Sequence, residues 1–373
     1  MPTPDAITLT SELIRLNTIN PPGNEAVAAR LTGELLSDFG FSVEYIPYGD
    51  NRLHMVAKKG CTENGLPVIL SGHFDTVPLG ANKWINDPLG AEIKNGKIYG
   101  RGSSDMKSGL AAMVIAAILA FNEGDPLGGV VLLFTAGEET GCQGAQHLVS
   151  DYKSLGKAKG IIIGEPTANI PAIGHKGGLY LKLSTTGLTA HSSMPHLGVN
   201  AIYKAARAIL KAEKFKFSQE EDPLLGIPTL NVGKMQGGIN LNSVPDYAEF
   251  TIDARTTSKT NHKILLERLS AELGNEVTIE TLVNLPAVFS DESDSFVRTV
   301  YKACGIQPGE AGFPKSLPYL TDGAVLQPAF GGVPTVILGP GQPELAHQTD
   351  EFCFVENIEK AVNIYKKIIL KEE

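Results

Sequence analysis

Short apolar runs alternate with longer amphipathic stretches through the first half of the chain. The runs predict strands, because each is only a few residues long and is bounded by polar residues or glycine; they lie at residues 42–46, 53–57, 68–70, 130–134 and 160–163. Stretches with helical spacing lie at residues 106–121 and 143–149. Continuously apolar strands separated by helices indicate an α/β sheet that is covered on both faces.

Two amphipathic helices are predicted before the first strand. Thr3 and Pro4 favour a helix start, as a cap followed by proline at the first helical position. Asn20 and the two prolines after it end this helix, and a second helix ends at Gly40. Both helices have an apolar side that must be covered by the rest of the fold.

The pattern changes near residue 177. Leu179, Leu181 and Leu183 alternate with polar residues, which is typical of a half-buried strand. The segments that follow predict a helix, two strands, a helix and a strand, at residues 199–211, 229–232, 248–255, 259–273 and 277–283. This β-α-β-β-α-β order is that of a split βαβ sandwich.

The α/β pattern then resumes, with a buried strand predicted at residues 334–338 and a closing amphipathic helix at residues 355–370. A chain of 373 residues is longer than one core usually serves. We therefore expect a discontinuous first domain at residues 1–176 and 286–373, and an inserted domain at residues 177–285 that projects from it like a lid.

Composition narrows the class of protein. Hydrophobic residues make up 42% and charged residues 20% of the chain, as in ordinary globular proteins. The net charge of −9 argues against a nucleic-acid partner, which would need a basic face. The longest apolar run, residues 110–121, is shorter than the ~20 residues that span a bilayer, so we expect a buried helix and no membrane partner.

The expected compartment is the cytoplasm. The first residues lack the charged start and apolar core of a signal peptide. The cysteines are scattered without a CxxC pair, so we expect reduced thiols rather than bridges or metal ligands at Cys61, Cys142, Cys304 and Cys353.

The first candidate site residues, His73 and Asp75, follow the third predicted strand. Side chains two residues apart on an extended chain point the same way. The imidazole can therefore bind a metal while the carboxylate holds its other ring nitrogen. The alternative is a histidine capped by a neighbouring acid.

Further acids stand at similar places along the chain. Asp105 precedes a predicted helix, where it is either an N-cap or a bridge between two cations. Glu138 and Glu139 follow a strand, where they either favour the next helix dipole or act as a metal ligand and a proton acceptor. Glu165 and His347 follow two more predicted strands.

Taken together, these acids and histidines are stronger evidence for a metal site than any one of them. Such sheets gather the carboxyl ends of their strands at one edge, so the side chains should lie close together. Four carboxylates at that edge would repel one another and raise their own pKa values. Two divalent cations would turn this repulsion into coordination. A nitrogen and oxygen set without cysteine suits zinc, with cobalt and manganese as alternatives.

Five segments together resemble the metallohydrolase family that contains acetylornithine deacetylase, succinyl-diaminopimelate desuccinylase, aminoacylase and the bacterial glutamate carboxypeptidases. They are residues 71–78, 100–109, 135–141, 164–167 and 339–351, and they stand in the family's order. The resemblance covers nearly the whole chain. It implies a zinc-hydrolase-type sheet sandwiched by helices, with the inserted β-α-β-β-α-β domain acting as lid and dimerisation domain.

The resemblance also implies a set of metal ligands for two zinc ions. One zinc ion is assigned to His73 and Glu165, and the other to Glu139 and His347. Asp105 is the ligand expected to bridge them.

Catalytic and substrate-binding roles follow from the same resemblance. Glu138 is expected to be the general base, and Asp75 is expected to orient the first metal-binding histidine. His191 is expected to stabilise the oxyanion, the alternative being a surface-loop histidine. Asn242 is expected near the substrate, and Arg255 either holds a substrate carboxylate or is a solvated strand-end charge.

One segment departs from the family. Many relatives carry a Gly-Thr-Ser-Asp turn in the last third of the chain, where this sequence reads Tyr-Leu-Thr-Asp-Gly at residues 319–323. The substrate contacts of that turn are therefore not carried over.

The implied function is a metal-dependent amidohydrolase that releases an acyl group from a small N-acyl amino acid. Glu165, where other branches usually have aspartate, is similar to the deacylase and carboxypeptidase branches, and the motifs look most like those of acetylornithine deacetylase. Alternatives are a succinyl-diaminopimelate desuccinylase, a metallo-carboxypeptidase or dipeptidase, and an inactive homologue that binds amino acids. A homodimer formed through the inserted domain is expected.

Overall fold

In the computed structural model, described for residues 5–62, 65–218, 221–307, 309–310, 312–313 and 315–371, the chain divides into two units. The first unit comprises the chain up to Gly174, Phe289–Ser316 and the chain from Thr321 onward. The second unit comprises His175–Val288 and Leu317–Leu320.

Within the described residues the helices are, in chain order, α1 (Ala6–Arg15), α2 (Ala26–Asp38), α3 (Ser108–Glu123), α4 (Gln143–Asp151), α5 (Ala201–Glu213), α6 (His262–Leu273), α7 (Ser295–Cys304), α8 (Gly323–Ala329) and α9 (Val355–Leu370). The strands are β1 (Ser42–Gly49), β2 (Arg52–Lys59), β3 (Val68–His73), β4 (Ile93–Lys94), β5 (Lys97–Tyr99), β6 (Val130–Thr135), β7 (Gly160–Ile163), β8 (Gly174–His175), β9 (Gly177–Thr186), β10 (Thr229–Gly237), β11 (Tyr247–Thr256), β12 (Val277–Leu285), β13 (Val288–Phe289), β14 (Thr335–Ile337) and β15 (Phe352–Phe354).

A six-stranded sheet with the order β1-β2-β6-β3-β7-β14 is the centre of the first unit. β1, β2 and β6 pair antiparallel, whereas β6, β3, β7 and β14 run parallel. Every residue of β3, β6, β7 and β14 is buried, which explains their continuously apolar sequences. The carboxyl ends of these four strands consequently meet at one edge of the sheet.

The core of the first unit is built on α3. The segment Ser103–Glu123 is long and apolar enough to cross a membrane by length and composition. However, most of this segment is buried inside the fold. Helices α1 and α9 pack against α3, so its apolar surface is that of a core helix.

The second unit is an antiparallel sheet with the order β10-β11-β9-β12 and two helices, α5 and α6. Along the chain its elements follow the predicted order β-α-β-β-α-β. β9 shows the predicted alternation, because Leu179, Leu181 and Leu183 are buried while the residues between them are half-buried. These leucines share a core with Phe250 of β11 and Leu269 of α6. The predicted α/β class with a split βαβ insert is therefore confirmed.

Some local expectations differ from the structure. α3 begins at Ser108, and Asp105 lies in a preceding π-helical turn with an extended backbone conformation rather than at the helix N-cap. Thr3 and Pro4 lie outside the described residues; the first helix is capped by Asp5, whose side chain accepts a hydrogen bond from the main chain of the first helical turn. α7, α8 and the three-stranded sheet of β15, β5 and β4 were not predicted.

Candidate metal centre

The parallel strands bring four of the expected ligands to one edge of the sheet. His73 is the last residue of β3, Glu139 follows β6 within four residues, and Glu165 follows β7 within two. His347 comes from the loop after β14. The fifth expected ligand, Asp105, comes from the turn that leads into α3. Because parallel strands end side by side, residues far apart in sequence become neighbours here.

One group of potential ligands comprises His73, Asp105 and Glu165, whose ligand atoms all lie within 4.8 Å of one another. Nε2 of His73 lies 3.3 Å from Oδ1 of Asp105 and 3.6 Å from Oε1 of Glu165. All three residues are buried, at 8% exposure or less.

A second group comprises Asp105, Glu139 and His347, again with ligand atoms within 4.8 Å of one another. Nε2 of His347 lies 3.1 Å from Oε2 of Glu139 and 3.4 Å from Oδ2 of Asp105. Asp105 thus presents one oxygen to each histidine. The structure brings together the five residues that the sequence predicted as ligands, in the predicted pairs.

The tautomer of His73 agrees with a ligand role. Its Nδ1 lies 2.9 Å from the main-chain oxygen of Asp75, and because a carbonyl oxygen only accepts, Nδ1 carries the hydrogen. In the neutral ring, Nε2 then directs a lone pair towards the oxygens of Asp105 and Glu165. A proton or a cation must lie between these groups, since lone pairs on both sides would repel.

The charges of the potential ligands also require a proton or a cation between them. Burial raises the pKa of Glu165 to about 8, and it also raises the pKa of Glu139. Oε1 of Glu139 is buried without a hydrogen-bond partner. Hydrogen bonds with Asp105 and Glu139 raise the pKa of His347 to about 10. Two divalent cations would replace the missing partner and remove the repulsion among the carboxylates, so the residues fit a dinuclear site with mixed nitrogen and oxygen ligands.

The carboxylate of Asp75 has a different partner from the one expected. Its Oδ1 is 3.6 Å from Nδ1 of His73, and the main-chain oxygen of Asp75 makes the shorter contact instead. The carboxylate accepts hydrogen bonds from the main-chain N–H groups of Gly137, Glu138 and Glu139, at 2.9 to 3.1 Å. Asp75 therefore orients His73 through its main chain and fixes the loop after β6 through its side chain.

Glu138, the expected general base, is buried beside the ligand groups, at 9% exposure. Burial raises the pKa of Glu138 well above its ordinary value. The thiol of Cys142 lies 3.3 Å from Oε1 of Glu138 and donates to it. Asp322 lies close to both, and one of its oxygens accepts a hydrogen bond of 2.5 Å from Oγ1 of Thr135. The unusual residues 319–323 thus place a buried carboxyl group next to Glu138.

The other three expected site residues belong to the second unit. His191 lies in an exposed loop that forms an isolated bridge with Ser243, next to Asn242. Arg255 is ion-paired with Asp253 at 2.9 Å and stacks over the ring of Tyr180. The expected roles of His191, Asn242 and Arg255 stay predictions.

Several residues of the metal centre were missed by the sequence analysis. They include Asn20, whose Nδ2 donates to the carboxylate of Asp75 at 2.9 Å, as well as Cys142 and the buried pair Arg101 and Glu351. The sequence predicts the end of a helix at Asn20 but no partner for its side chain. Each of these residues except Cys142 contacts a partner that is distant in sequence, so no local spacing pointed to it.

Comparison with known proteins identifies a family. The model of peptidase family M20/M25/M40 matches residues 69–371 of the chain. A probable succinyl-diaminopimelate desuccinylase of Staphylococcus epidermidis is 32% identical to this chain over 98% of its length and 96% of the relative. An acetylornithine deacetylase of Vibrio atlanticus is 31% identical over 94% of this chain and 92% of the relative.

Solved structures support the fold. An M20 family metallo-carboxypeptidase of Sulfolobus solfataricus superposes with a TM-score of 0.79 over 98% of this chain and 99% of its own, at 19% sequence identity. The similarity therefore extends over both units of the chain.

Proposed function

Since the chain belongs to peptidase family M20/M25/M40, and is thus a hydrolase of amide bonds, we propose that it releases the acyl group of a small N-acyl amino acid with the help of two divalent cations. The observation that carries this proposal is the pair of ligand groups that share Asp105. An inactive homologue would be expected to lack a ligand or the base, and neither is lost here.

Zinc is the proposed metal at both positions, with cobalt or manganese as substitutes. His73 and Glu165 would hold one ion, Glu139 and His347 the other, and Asp105 both. Bound ions of this kind lower the pKa of the attacking water and polarise the substrate carbonyl.

Glu138 is the proposed general base. The residue is held at two points: Asp75 accepts a hydrogen bond from its main-chain N–H, and the Cys142 thiol donates to Oε1 of its carboxylate. A base in this position accepts the proton of the attacking water and delivers it to the leaving amine nitrogen. Two bound cations would favour the ionised form of Glu138 that this step needs, against the effect of burial.

Roles in the second unit are proposed on the resemblance alone. His191 would donate a hydrogen bond to the developing oxyanion, and Asn242 would contact the substrate. Arg255 would bind a substrate carboxylate, for which it must exchange its present partner Asp253. Assembly as a homodimer through this unit and a cytoplasmic location belong to the same proposal, with no nucleic-acid or membrane partner.

The proposed substrate is N-acetylornithine or a closely similar N-acyl amino acid. Relatives that carry the names acetylornithine deacetylase and succinyl-diaminopimelate desuccinylase match the chain at almost equal identity. The choice of the acetyl group rests on the motifs of residues 164–167 and 339–351.

The test is turnover of a substrate panel by the purified, zinc-supplied protein. The panel contains N-acetylornithine, N-succinyl-diaminopimelate, N-acetylmethionine and several dipeptides, each assayed by release of the free amine. We expect cleavage of N-acetylornithine that is abolished by a chelator and restored by zinc. Cleavage of the dipeptides alone would replace the deacylase assignment by a peptidase, and turnover that survives complete metal removal would refute the metal-dependent mechanism.

A further inference from the structure

A buried ion pair lies outside the set of proposed ligands and links two of the segments that carry them. Nη1 of Arg101 lies 2.6 Å from Oε2 of Glu351, and their side chains are 2% and 0% exposed. These residues are 250 positions apart, so the pair joins the turn before α3 to the segment that precedes β15.

Glu351 holds the turn that carries Asp105. Its Oε1 accepts hydrogen bonds from the main-chain N–H groups of Ser104, at 2.7 Å, and Asp105, at 3.0 Å. Its Oε2 accepts from the main-chain N–H of Gly102 at 3.1 Å, in addition to Arg101. A carboxylate that accepts four hydrogen bonds fixes the position of the groups that donate them.

Arg101 holds the segment that carries His347. Its guanidinium donates to the main-chain oxygens of Gln348 and His347, at 3.2 and 3.4 Å, and to that of Pro78 at 3.2 Å. The planar group also stacks over Trp84. The fixed geometry of the guanidinium fork allows one side chain to hold several oxygens at once.

We infer that Arg101 and Glu351 are positioning residues that set the distance between Asp105 and His347, and with it the cation position that His347 and Glu139 form. This inference rests on the proposed function, because it assumes that the two ligand groups bind metal. Nε2 of His347 is 3.4 Å from Oδ2 of Asp105, and the ion pair joins their two main-chain segments directly.

The two cation positions depend on the ion pair unequally. His73 is the last residue of β3 and Glu165 follows β7, and these strands pair with each other from Val68 to Ser71. The sheet ladder therefore places His73 and Glu165 without help from Arg101. His347 has no such support, since it lies in a loop with a positive φ of 64° and its side chain is 54% exposed.

The experiment compares zinc binding by the full-length protein and its variants after removal of all metal. Zn²⁺ alone is titrated by calorimetry, and bound zinc is counted by atomic emission. Glu351→Gln keeps the shape of the side chain but replaces one acceptor oxygen by a donor, and Arg101→Lys keeps the charge but loses the fork. Asp350→Asn is the matched control, because Oδ1 of Asp350 accepts from the main-chain N–H groups of Ile85 and Asn86 and not from the turn of Asp105.

The wild-type protein and Asp350→Asn should each bind two zinc ions, and the affinity at each position should be the same in the two proteins. In Glu351→Gln and Arg101→Lys, we expect the affinity of the position formed by His347 and Glu139 to fall roughly 10- to 100-fold, as for other outer residues that orient a ligand. The affinity of the position formed by His73 and Glu165 should fall less, because it depends on the ion pair only through the shared ligand Asp105. This second position should bind the single ion that remains in His347→Ala. Unequal loss of affinity at the two zinc positions indicates a positioning role. A general loss of stability would instead weaken zinc binding at both positions.

Two results would overturn the inference while leaving the proposed function intact: unchanged binding of both ions in the two variants, or equal weakening of both. If Glu351→Gln fails to fold, as judged by near-ultraviolet circular dichroism, Arg101→Lys decides the question by the same criteria. Failure of the wild-type protein to bind any zinc would instead refute the proposed function itself.

Discussion

Glu138 differs from its neighbour Glu139 although the two are adjacent in the chain. Glu139 contacts His347, whereas Glu138 contacts the thiol of Cys142. At the residue scale we therefore predict that Glu138→Gln lowers kcat by roughly 10²- to 10⁴-fold, the usual range for a lost general base, and leaves two zinc ions bound. Steady-state kinetics and metal analysis check both parts.

Glu139→Gln is the matched control for this prediction, because it should lower the zinc content as well as the activity. An active Glu138→Gln enzyme would exclude Glu138 as the base. An inactive one that had also lost zinc would show that Glu138 is a ligand.

Replacement of one carboxylate oxygen of Asp75 by an NH₂ group should lower the stability of the protein. Four donors, three of them main-chain N–H groups and the fourth Nδ2 of Asn20, use both oxygens of its carboxylate. In Asp75→Asn an amide NH₂ would face at least one of these buried donors, at a cost of on the order of 1–3 kcal/mol for each group left unpaired. Urea unfolding of the metal-free protein measures the change; a difference of less than about 0.5 kcal/mol would contradict the described role.

At the scale of elements, a glycine of α3 lies close to the main chain of the residue that follows β7. A Cβ atom added to Gly109 would lie 2.4 Å from the main-chain oxygen of Gly164, the residue before Glu165. Gly109→Ala should therefore destabilise the protein, by roughly 1–3 kcal/mol as for other overpacked cores, although alanine favours a helix. Thermal unfolding checks the sign, and an increase in stability would refute the close approach.

Histidine 54 on β2 connects two elements by its hydrogen bonds. His54 Nδ1 accepts from the main-chain N–H of Ala136, which follows β6, and Nε2 faces Nδ1 of His147 on α4 at 3.3 Å. Burial lowers the pKa of His54 to about 3, from an ordinary value of 6.5. Below pH 6.5 the unfolded chain therefore binds a proton that the folded chain does not, and the stability falls as the pH falls.

This difference predicts that lowering the pH from 7 to 5 reduces the free energy of unfolding through His54 by roughly 2 kcal/mol. His54→Asn keeps an acceptor for Ala136 but cannot titrate, so its stability should decrease less over this range. Urea unfolding at both pH values provides the measurement. Equal pH dependence of the two proteins would show that His54 is not held in its neutral form.

The elements that carry the proposed ligands were largely predictable, because buried parallel strands are continuously apolar and each ends at a polar residue. That change marked His73, Glu165 and the pair Glu138 and Glu139 as candidates, and the family resemblance then separated the expected ligands from the expected base. Arg101 and Glu351 could not be recognised in this way, since their partnership exists only after α3 and β15 have been placed in space. The role of the Asp75 carboxylate was missed for the same reason: its main-chain partners lie 62 to 64 residues further along the chain, and Asn20 lies 55 residues before it.

At the scale of the whole molecule, the proposed ligands all belong to the first unit, and the second unit has a core of its own. Cations that bind only the folded protein stabilise it by roughly 3 kcal/mol for each ion when free metal is about 100 times Kd. Chelation should therefore lower the melting temperature of the first unit, and addition of zinc should restore it. Scanning calorimetry follows the effect.

Hydrogen exchange then distinguishes the two units. Amides of β3, β6 and β7 should lose protection when metal is removed, whereas those of β9 and β11 should not. Loss of protection in both units to the same extent would mean that they unfold together.

The order in which the chain is synthesised gives the discontinuous first unit a further consequence. Glu165 and His347 are 182 positions apart, and the segment between them includes the entire second unit. At translation rates of roughly 5–20 residues per second, His347 leaves the ribosome on the order of ten to forty seconds after Glu165. During that interval the nascent chain has the three proposed carboxylate ligands but only His73 of the two proposed histidine ligands. Binding of both cations, and with it the proposed activity, would therefore begin late in the biogenesis of the protein.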